Sequence, residues 1–322
     1  MLRNLAAFFL GFLVLAAVPT VQAQHQKPYR VGVIHEGGQY NATIDGLKDG
    51  LRELGLEPGR DVLLDIRDVH GNPAAAGEAA RSLEREKVDL VYSVGTSVTV
   101  AVKSATTKIP IVFVGGNDAV AAGLVGSLAR PAGRITGVQF RSVDLTAKRL
   151  EILKEILPKV HKIVTFYDSG NPVVGIKETR EAAQRLNIEL VEQPVTSVEE
   201  LRERFKAFGP KDADAYFYTP DAMATSQTQF IIDTANSKKL PTMMGQPSLV
   251  AQGALAGYGV DFNDAGHLSA RYVQRVLTGT RPENLPVESF SKYGLGVNLK
   301  TARALGITVP QSVLFRADNV IE

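Results

Sequence analysis

Four landmarks of the sequence return in the same order in its second half, and this internal repeat constrains the fold more than any other feature. Each landmark joins a short apolar run to a turn, and each recurs 125 to 132 positions later. The matched segments are 30–38 with 162–170, 54–57 with 186–189, 88–97 with 213–222, and 109–116 with 240–247. Such a repeat predicts two structurally equivalent lobes, each built from the same succession of elements.

Within each lobe, short apolar runs alternate with segments of helix length. Residues 29–34 predict the first strand, and Ile44, Leu47 and Leu51 in the segment 41–54 fall on one face of a helix. Further strands are predicted at 61–69, 88–94, 109–114 and 135–140. These runs are β-branched and apolar on both faces, which is typical of parallel strands covered by helices on both sides. We therefore predict an α/β fold of two Rossmann-like lobes with parallel sheets, joined by hinge strands, with a ligand cleft between them.

The lobe boundaries follow from the positions of the repeats. Lobe one is predicted to span 28–140 plus about 260–322, and lobe two to span 145–255. The residues after 255 are too few for a third lobe, so we expect them to cross back to lobe one. Residues 257–261 read as a crossover strand, and 265–277 read as an amphipathic helix.

The first 23 residues have the features of a cleaved signal peptide. Arg3 precedes an apolar run at 5–18, and small residues at 21–23 provide a cleavage site. The apolar run, about 14 residues long, is short for a membrane span, which needs about 20. The mature protein is therefore expected to begin near Gln24, in the periplasm or outside the cell, with an uncleaved N-terminal anchor as the alternative. Since the chain has no cysteine, it is not expected to be a lipoprotein.

Composition excludes several classes of partner and site. The formal net charge is +2 and Lys and Arg are scattered, so neither a nucleic-acid partner nor a polybasic membrane contact is expected. The absence of cysteine excludes disulfides, thiolate metal sites and a cysteine nucleophile.

Enzyme motifs are missing from the sequence as well. The five histidines, at positions 25, 35, 70, 161 and 267, show no metal-ligand spacing. There is no Walker A loop and no G-x-G-x-x-G after a strand, and the turn at 95–97 lacks the G-x-S-x-G elbow. We expect no catalytic site, no metal and no cofactor, with a secreted α/β hydrolase or lyase kept as an alternative.

Several longer segments resemble one known family. Residues 123–138 read GLVGSLARPAGRITGV, which is close to that family's signature AGLV.SLARPGGNITG. Further matches lie at 50–62, 88–118, 148–158, 253–273 and 298–322. In these segments the chain resembles the ABC transporter substrate-binding proteins, of the type I periplasmic binding protein fold, and within them the tryptophan and tyrosine receptors.

The resemblance implies a function as well as a fold. It implies a monomeric periplasmic receptor that captures a small solute, such as an amino acid, by hinge closure and delivers it to an ABC permease and its ATPase. A ligand-sensing receptor of a signalling system has the same fold and stays open as an alternative. Genes for a permease and an ATPase beside this one would distinguish the two.

Candidate binding residues follow from the rule that ligands bind at the carboxyl ends of parallel strands. In lobe one these positions hold Gln39, Tyr40, Gly95, Thr96, Ser97, Asn117 and Asp118. Thr96 and Ser97 open a helix whose free amides suit a carboxylate, although plain N-capping is the alternative. Asp118 suits an ammonium group, with an Asx turn as the alternative.

The equivalent positions of lobe two are mostly acidic or amide side chains. They are Asp168, Ser169, Asn171, Asp221 and Gln246, and the predicted crossover adds Tyr258 and Asp261. Asp221 matches Ser97 of lobe one through the repeat and suits a cationic group. Anion donors on lobe one and carboxylates on both lobes together suit a zwitterion such as an amino acid.

Overall fold

The computed structural model describes residues 27–70, 72–171, 175–209 and 211–322. The predicted signal peptide lies outside these residues. Within the described part of the chain, no helix combines the length and the apolar character needed to span a membrane.

Lobe one is built around a six-stranded parallel sheet. Its strands are β1 Tyr29–His35, β2 Val62–Asp68, β3 Leu90–Val94, β4 Ile111–Gly115, β5 Ile135–Gln139 and β11 Glu288–Ser289, and its helices are α1 Tyr40–Glu53, α2 Pro73–Arg85, α3 Thr96–Ala105 and α9 Phe262–Leu277. The strand order is β2-β1-β3-β4-β5-β11. Every neighbouring pair is parallel, so the carboxyl ends of the strands meet at one edge of the sheet.

Lobe two is built around a seven-stranded sheet. Its strands are β6 Lys162–Asp168, β7 Glu189–Val195, β8 Ala215–Phe217, β9 Thr242–Met244, β10 Ala256–Gly259, β12 Gly294–Asn298 and β13 Asn319–Ile321. Its helices are α4 Thr146–Ile156, α5 Ile176–Arg185, α6 Val198–Ala207, α7 Ala222–Ser226, α8 Thr228–Ser237, α10 Leu299–Ala304 and α11 Gln311–Leu314. The strand order is β7-β6-β8-β9-β10-β12-β13, with only β10 and β12 antiparallel.

The central strands of each sheet are buried on both faces, as their apolar runs predict. In lobe one, Val33 and Tyr92 belong to the apolar cluster on one side of the sheet, and Ile34 and Val91 belong to the cluster on the other. Two further clusters cover the sheet of lobe two in the same way. The predicted α/β architecture with parallel sheets is therefore confirmed.

Helix α9 returns from lobe two and packs tightly against α1. A Cβ added at Gly46 of α1 would overlap the carbonyl oxygen of Asn263, and one added at Gly266 of α9 would overlap that of Thr43. The two backbones can lie this close only because both positions are glycine. This contact holds α9, and with it the segment that follows β10, against lobe one.

The chain crosses between the lobes at 140–145, 260–261 and 290–293. The third crossover corrects the predicted assignment of about 260–322 to lobe one. Residues 262–289 do pack there, but 294–321 return to the other sheet, because β12 pairs antiparallel with β10 and β13 pairs with β12.

Candidate ligand-binding site

A cavity lies between the lobes, where the carboxyl edges of the two sheets face each other. Six of the predicted residues line it: Tyr40, Thr96, Ser97, Asn117, Asn171 and Asp221. They come from both lobes, so the cavity exists only while the lobes are closed.

The lobe-one wall of the cavity contains the N-terminus of α3. The N-cap is Gly95, in a left-handed conformation with φ 102°, and no side chain caps this helix end. The capping by Thr96 or Ser97 that stood as the alternative to a ligand role is therefore absent. Thr96 Oγ1 instead accepts a hydrogen bond of 3.3 Å from the amide of Asn117. The helix end thus presents amide donors and a positive partial charge to the cavity.

Two acidic side chains from opposite lobes are buried beside the cavity. Asp221 Oδ1 accepts a hydrogen bond from the amide of Ala224 at 2.8 Å, and its Oδ2 accepts one from Asn171 Nδ2 at 3.2 Å. Glu36, which the sequence analysis did not select, accepts a bond of 2.6 Å from Ser97 Oγ. Burial raises the pKa of Glu36 to about 7 and that of Asp221 to about 6, since both lie far from bulk water.

Aromatic rings form the remaining wall. Tyr40 and Phe262 stack with their ring centroids 5.5 Å apart, and Phe140 lies 5.4 Å from Phe262. Tyr218 lines the cavity from lobe two. Of these four rings, the sequence analysis selected only Tyr40. The other three also follow strand ends or a crossover, so the same positional rule applied to aromatic residues would have found them.

Direct contacts hold the two lobes together at the mouth of the cavity. Gln39 Nε2 donates a hydrogen bond of 2.9 Å to Gln252 Oε1 of lobe two. Gly38, with φ 57°, lies so close to lobe two that an added Cβ would overlap the carbonyl oxygen of Ser226. Gln39 therefore bridges the lobes and does not line the cavity.

Four other predicted residues have backbone roles at helix ends and turns. Gly95 is the N-cap of α3, and Asp261 is the N-cap of α9, where it accepts a bond of 2.8 Å from the amide of Asn263. Asp118 forms the Asx turn given as its alternative, through a bond of 2.9 Å from the amide of Val120. Asp168 Oδ1 accepts a bond of 2.8 Å from the amide of Gly170.

Three further predicted residues also lie outside the cavity wall. Ser169 donates to the carbonyl oxygen of Val195 at 3.2 Å. The carbonyl oxygen of Tyr258 accepts a bond of 2.8 Å from a buried arginine, Arg149. Gln246 is 4% exposed and precedes the short 3-10 helix Pro247–Gln252, and its Oε1 has no hydrogen-bond partner among the described residues.

No group of three or more His, Asp or Glu side chains in the described part of the chain is arranged to hold a metal ion. The polar groups of the cavity are those of a site that binds an organic molecule: a helix N-terminus, hydroxyls, amides and the carboxyl of Asp221 beside aromatic rings.

Comparison with known proteins agrees with this description. The family model for the ABC transporter substrate binding protein matches residues 30–321. The tyrosine-binding protein of Clostridioides difficile is 26% identical over 286 residues, which cover 88% of this chain and 82% of that protein.

Two solved structures have the same fold over nearly their whole length. A conserved domain protein from Vibrio cholerae superposes with a TM-score of 0.82 at 32% identity, covering 91% of this chain and 100% of that one. The ABC domain in complex with L-Trp from Streptococcus pneumonia superposes with a TM-score of 0.79 at 26% identity, covering 90% and 100%. The matched family is one of solute-binding proteins and not of enzymes, which sets aside the hydrolase alternative. The chain belongs to the family of ABC transporter substrate-binding proteins.

Proposed function

We propose that this protein is a periplasmic receptor that binds an aromatic α-amino acid and delivers it to an ABC permease and its ATPase. The observation that carries the proposal is the composition of one closed cavity. Aromatic rings, the N-terminus of α3 and the buried carboxyl of Asp221 line it, with the carboxyl of Glu36 behind Ser97. These groups suit the three parts of such a ligand.

The two polar ends of the ligand have separate partners. Its carboxylate would accept hydrogen bonds from the first amides of α3 and from the hydroxyl of Thr96. Its ammonium would lie against Asp221, which lines the cavity, and near Glu36, whose carboxyl lies behind Ser97. Neither carboxyl has an ion-pair partner among the described residues, so a ligand cation would supply the missing charge.

The ring of the ligand would pack against Tyr40, Phe262 and Tyr218. Offset or edge contacts between aromatic rings contribute about 0.5–1.5 kcal/mol each beyond burial alone, which favours an aromatic over an aliphatic side chain. The names of two related proteins support the same ligand class: one is a tyrosine-binding protein and another was solved with L-Trp.

Calorimetry tests the ligand class directly. The mature protein, residues 24–322, is unfolded and refolded to remove any ligand carried from the host, and mass spectrometry identifies what was released. We expect L-tyrosine, L-tryptophan or L-phenylalanine to bind at least tenfold more tightly than L-leucine, and Asp221→Asn to weaken binding. Asp233→Asn, on the exposed side of α8, is the matched control. Failure of every standard amino acid to bind the refolded protein would refute the proposed ligand class.

Transport is tested in cells. Uptake of the labelled amino acid by a strain that lacks this gene is expected to return with the wild-type protein and not with Asp221→Asn. Uptake that does not depend on the gene would favour the signalling receptor instead. Osmotic-shock fractionation and mass spectrometry of the mature N-terminus check the proposed location and cleavage, and sedimentation checks the proposed monomer.

A further inference from the structure

Arg149 of α4 is a fully buried cation, 0% exposed, directly behind the ligand cavity. Nη2 donates to Ser142 Oγ at 3.0 Å, Nη1 donates to the carbonyl oxygen of Ser142 at 3.1 Å, and Nε donates to that of Tyr258 at 2.8 Å. None of the described residues provides a carboxylate for this guanidinium. Its surroundings are therefore polar but uncharged.

The partners of Arg149 belong to two different connections between the lobes. Ser142 lies in the first crossover, 140–145, and Tyr258 lies in β10, which leads into the second crossover, 260–261. One side chain thus ties together the outgoing and returning strands of the hinge. The planar guanidinium suits this task, because its donors point in fixed directions towards several acceptors.

The same side chain contacts the wall of the cavity. Both Ser142 and Tyr218 line the cavity, and the Arg149 guanidinium carbon lies 5.5 Å from the centroid of the Tyr218 ring. Since Ser142 Oγ accepts its hydrogen bond from Arg149, the hydroxyl hydrogen of Ser142 is left to donate to another acceptor. An acceptor group in the cavity can receive that hydrogen.

The charge of Arg149 is also uncompensated. Burial lowers its pKa to about 10, since removal from water disfavours the cation. An anionic group in the adjacent cavity would offset this loss of hydration. Ser142 and Thr96 lie on the two sides of the loop after β4, because Gly115 approaches Thr96 and Gly116 approaches Ser142. Both side chains also line the cavity, which allows one ligand carboxylate to lie near both hydroxyls.

We propose that Arg149 is a positioning residue of the ligand site. It holds Ser142 and Tyr218 in the cavity wall and ties the two crossovers together. Its unpaired charge favours a ligand with a carboxylate beside Ser142. The second part of this inference rests on the proposed function, because it assigns one end of the amino acid. The first part concerns the hinge and does not require a ligand.

The charge effect is tested with probes that differ only in the anionic group. The affinities of L-tyrosine and L-tryptophan are compared with those of tyramine and tryptamine, for the wild type, Arg149→Lys and Arg149→Met. We expect Arg149→Met to reduce the preference for the carboxylated probe at least tenfold, and Arg149→Lys to retain part of it. Arg134→Met is the matched control, because Arg134, like Arg149, donates to more than one backbone carbonyl group, in its case those of Lys103, Thr106 and Ile109, but lies far from the cavity. An unchanged preference in Arg149→Met would overturn the charge effect.

The hinge effect is tested in the ligand-free protein. The chain has no cysteine, so spin labels at Arg85→Cys of lobe one and Glu203→Cys of lobe two report a single distance. We expect Arg149→Met to broaden and lengthen the distance distribution, Arg149→Lys to have a smaller effect, and Arg134→Met to have none. If no probe binds the wild type, the proposed function fails but these distances still decide the hinge role. Distributions that match the wild type in both Arg149 variants would overturn it.

Discussion

The hydroxyl of Ser97 donates a hydrogen bond of 2.6 Å to the carboxyl of Glu36, and the two residues follow the neighbouring strands β3 and β1 of lobe one. Glu36 is 2% exposed. Burial, with a smaller contribution from the charge of Asp221 across the cavity, raises its pKa to about 7. Burial also raises the pKa of Asp221 to about 6. The closed, ligand-free site therefore holds protons that exposed carboxyls would release.

Ligand affinity is expected to rise with pH for this reason. A ligand ammonium beside the two carboxyls favours their ionised forms, so binding releases protons that the empty closed site holds below about pH 7. From about pH 5.5 to 7.5 we expect the affinity for an aromatic amino acid to increase about tenfold, and Glu36→Gln to remove most of that change. Calorimetry at both pH values measures it, with the exposed Glu203→Gln as control. An affinity that stays level or falls with pH in the wild type would contradict the placement of the ligand ammonium beside these two carboxyls.

The stability of the ligand-free protein is expected to change in the opposite direction. Folded-state pKa values above the ordinary 4.5 of Glu and 3.8 of Asp mean that the folded protein binds more protons than the unfolded chain does. Below about pH 4 the two carboxyls therefore do not reduce the free energy of unfolding. As the pH rises towards 7, the unfolded chain releases protons that the folded protein retains, so the free energy of unfolding falls. We expect the Tm of Glu36→Gln to decline less than that of the wild type between about pH 5 and 7.5, as measured by calorimetric scans without ligand. Parallel declines in the two proteins would show that Glu36 is not the group responsible.

Closure of the lobes is expected to depend on the absence of a side chain at Gly38. Its added Cβ would overlap the carbonyl oxygen of Ser226 in lobe two, so Gly38→Ala should hold the lobes apart and weaken ligand binding at least tenfold. The backbone strain of alanine at φ 57° is a separate effect. Gly55→Ala controls for it, because Gly55 has φ 80° but nothing within 4 Å of the added Cβ. Equal affinities in the two variants would mean that this contact does not limit closure.

Asp261 is expected to matter for stability more than for binding. Its carboxyl caps α9 through the amide of Asn263, and removing such a cap destabilises a protein by about 1 kcal/mol. In a protein of this size we expect Asp261→Ala to lower the Tm by about 2 °C. Asp261→Ser, which can still cap the helix, should retain most of the Tm. For both variants we expect an affinity, measured by calorimetry, within twofold of the wild type. A large loss of affinity in both variants would indicate that Asp261 contacts the ligand.

Asp118, Asp221 and Glu36 show how far the sequence could predict the site. The rule that ligands bind at the carboxyl ends of strands selected the right loops, because the alternation of strands and helices fixes where those ends meet. It could not decide which side chain of each loop faces the cavity. Asp118 turns back on its own loop, and Glu36 is buried with its carboxyl bonded to Ser97. Such choices depend on side-chain direction and on contacts between the lobes.

The last 29 residues show a similar limit in the fold. The repeat predicted both sheets, but β12 and β13 lie after the repeated part of the sequence. Their place is decided by the antiparallel pairing of β12 with β10, in which Tyr258 stands opposite Leu295. That pairing depends on a third crossover at 290–293, in a part of the sequence that has no counterpart in the repeat.

Ligand selectivity is expected to depend on Phe262, which connects Tyr40 and Phe140 in the aromatic wall. Phe262→Leu keeps an apolar side chain of similar volume, so the loss of stability should stay below about 1.5 kcal/mol. The loss of aromatic contacts should reduce the preference for L-tryptophan over L-leucine at least threefold in calorimetric titrations. Phe166→Leu is the matched control, because Phe166 packs 4.9 Å from Phe205 in the core of lobe two and away from the cavity. A preference that falls equally in both variants would trace the effect to general loosening of the fold, whereas a fall confined to Phe262→Leu would support recognition of an aromatic ring by this wall.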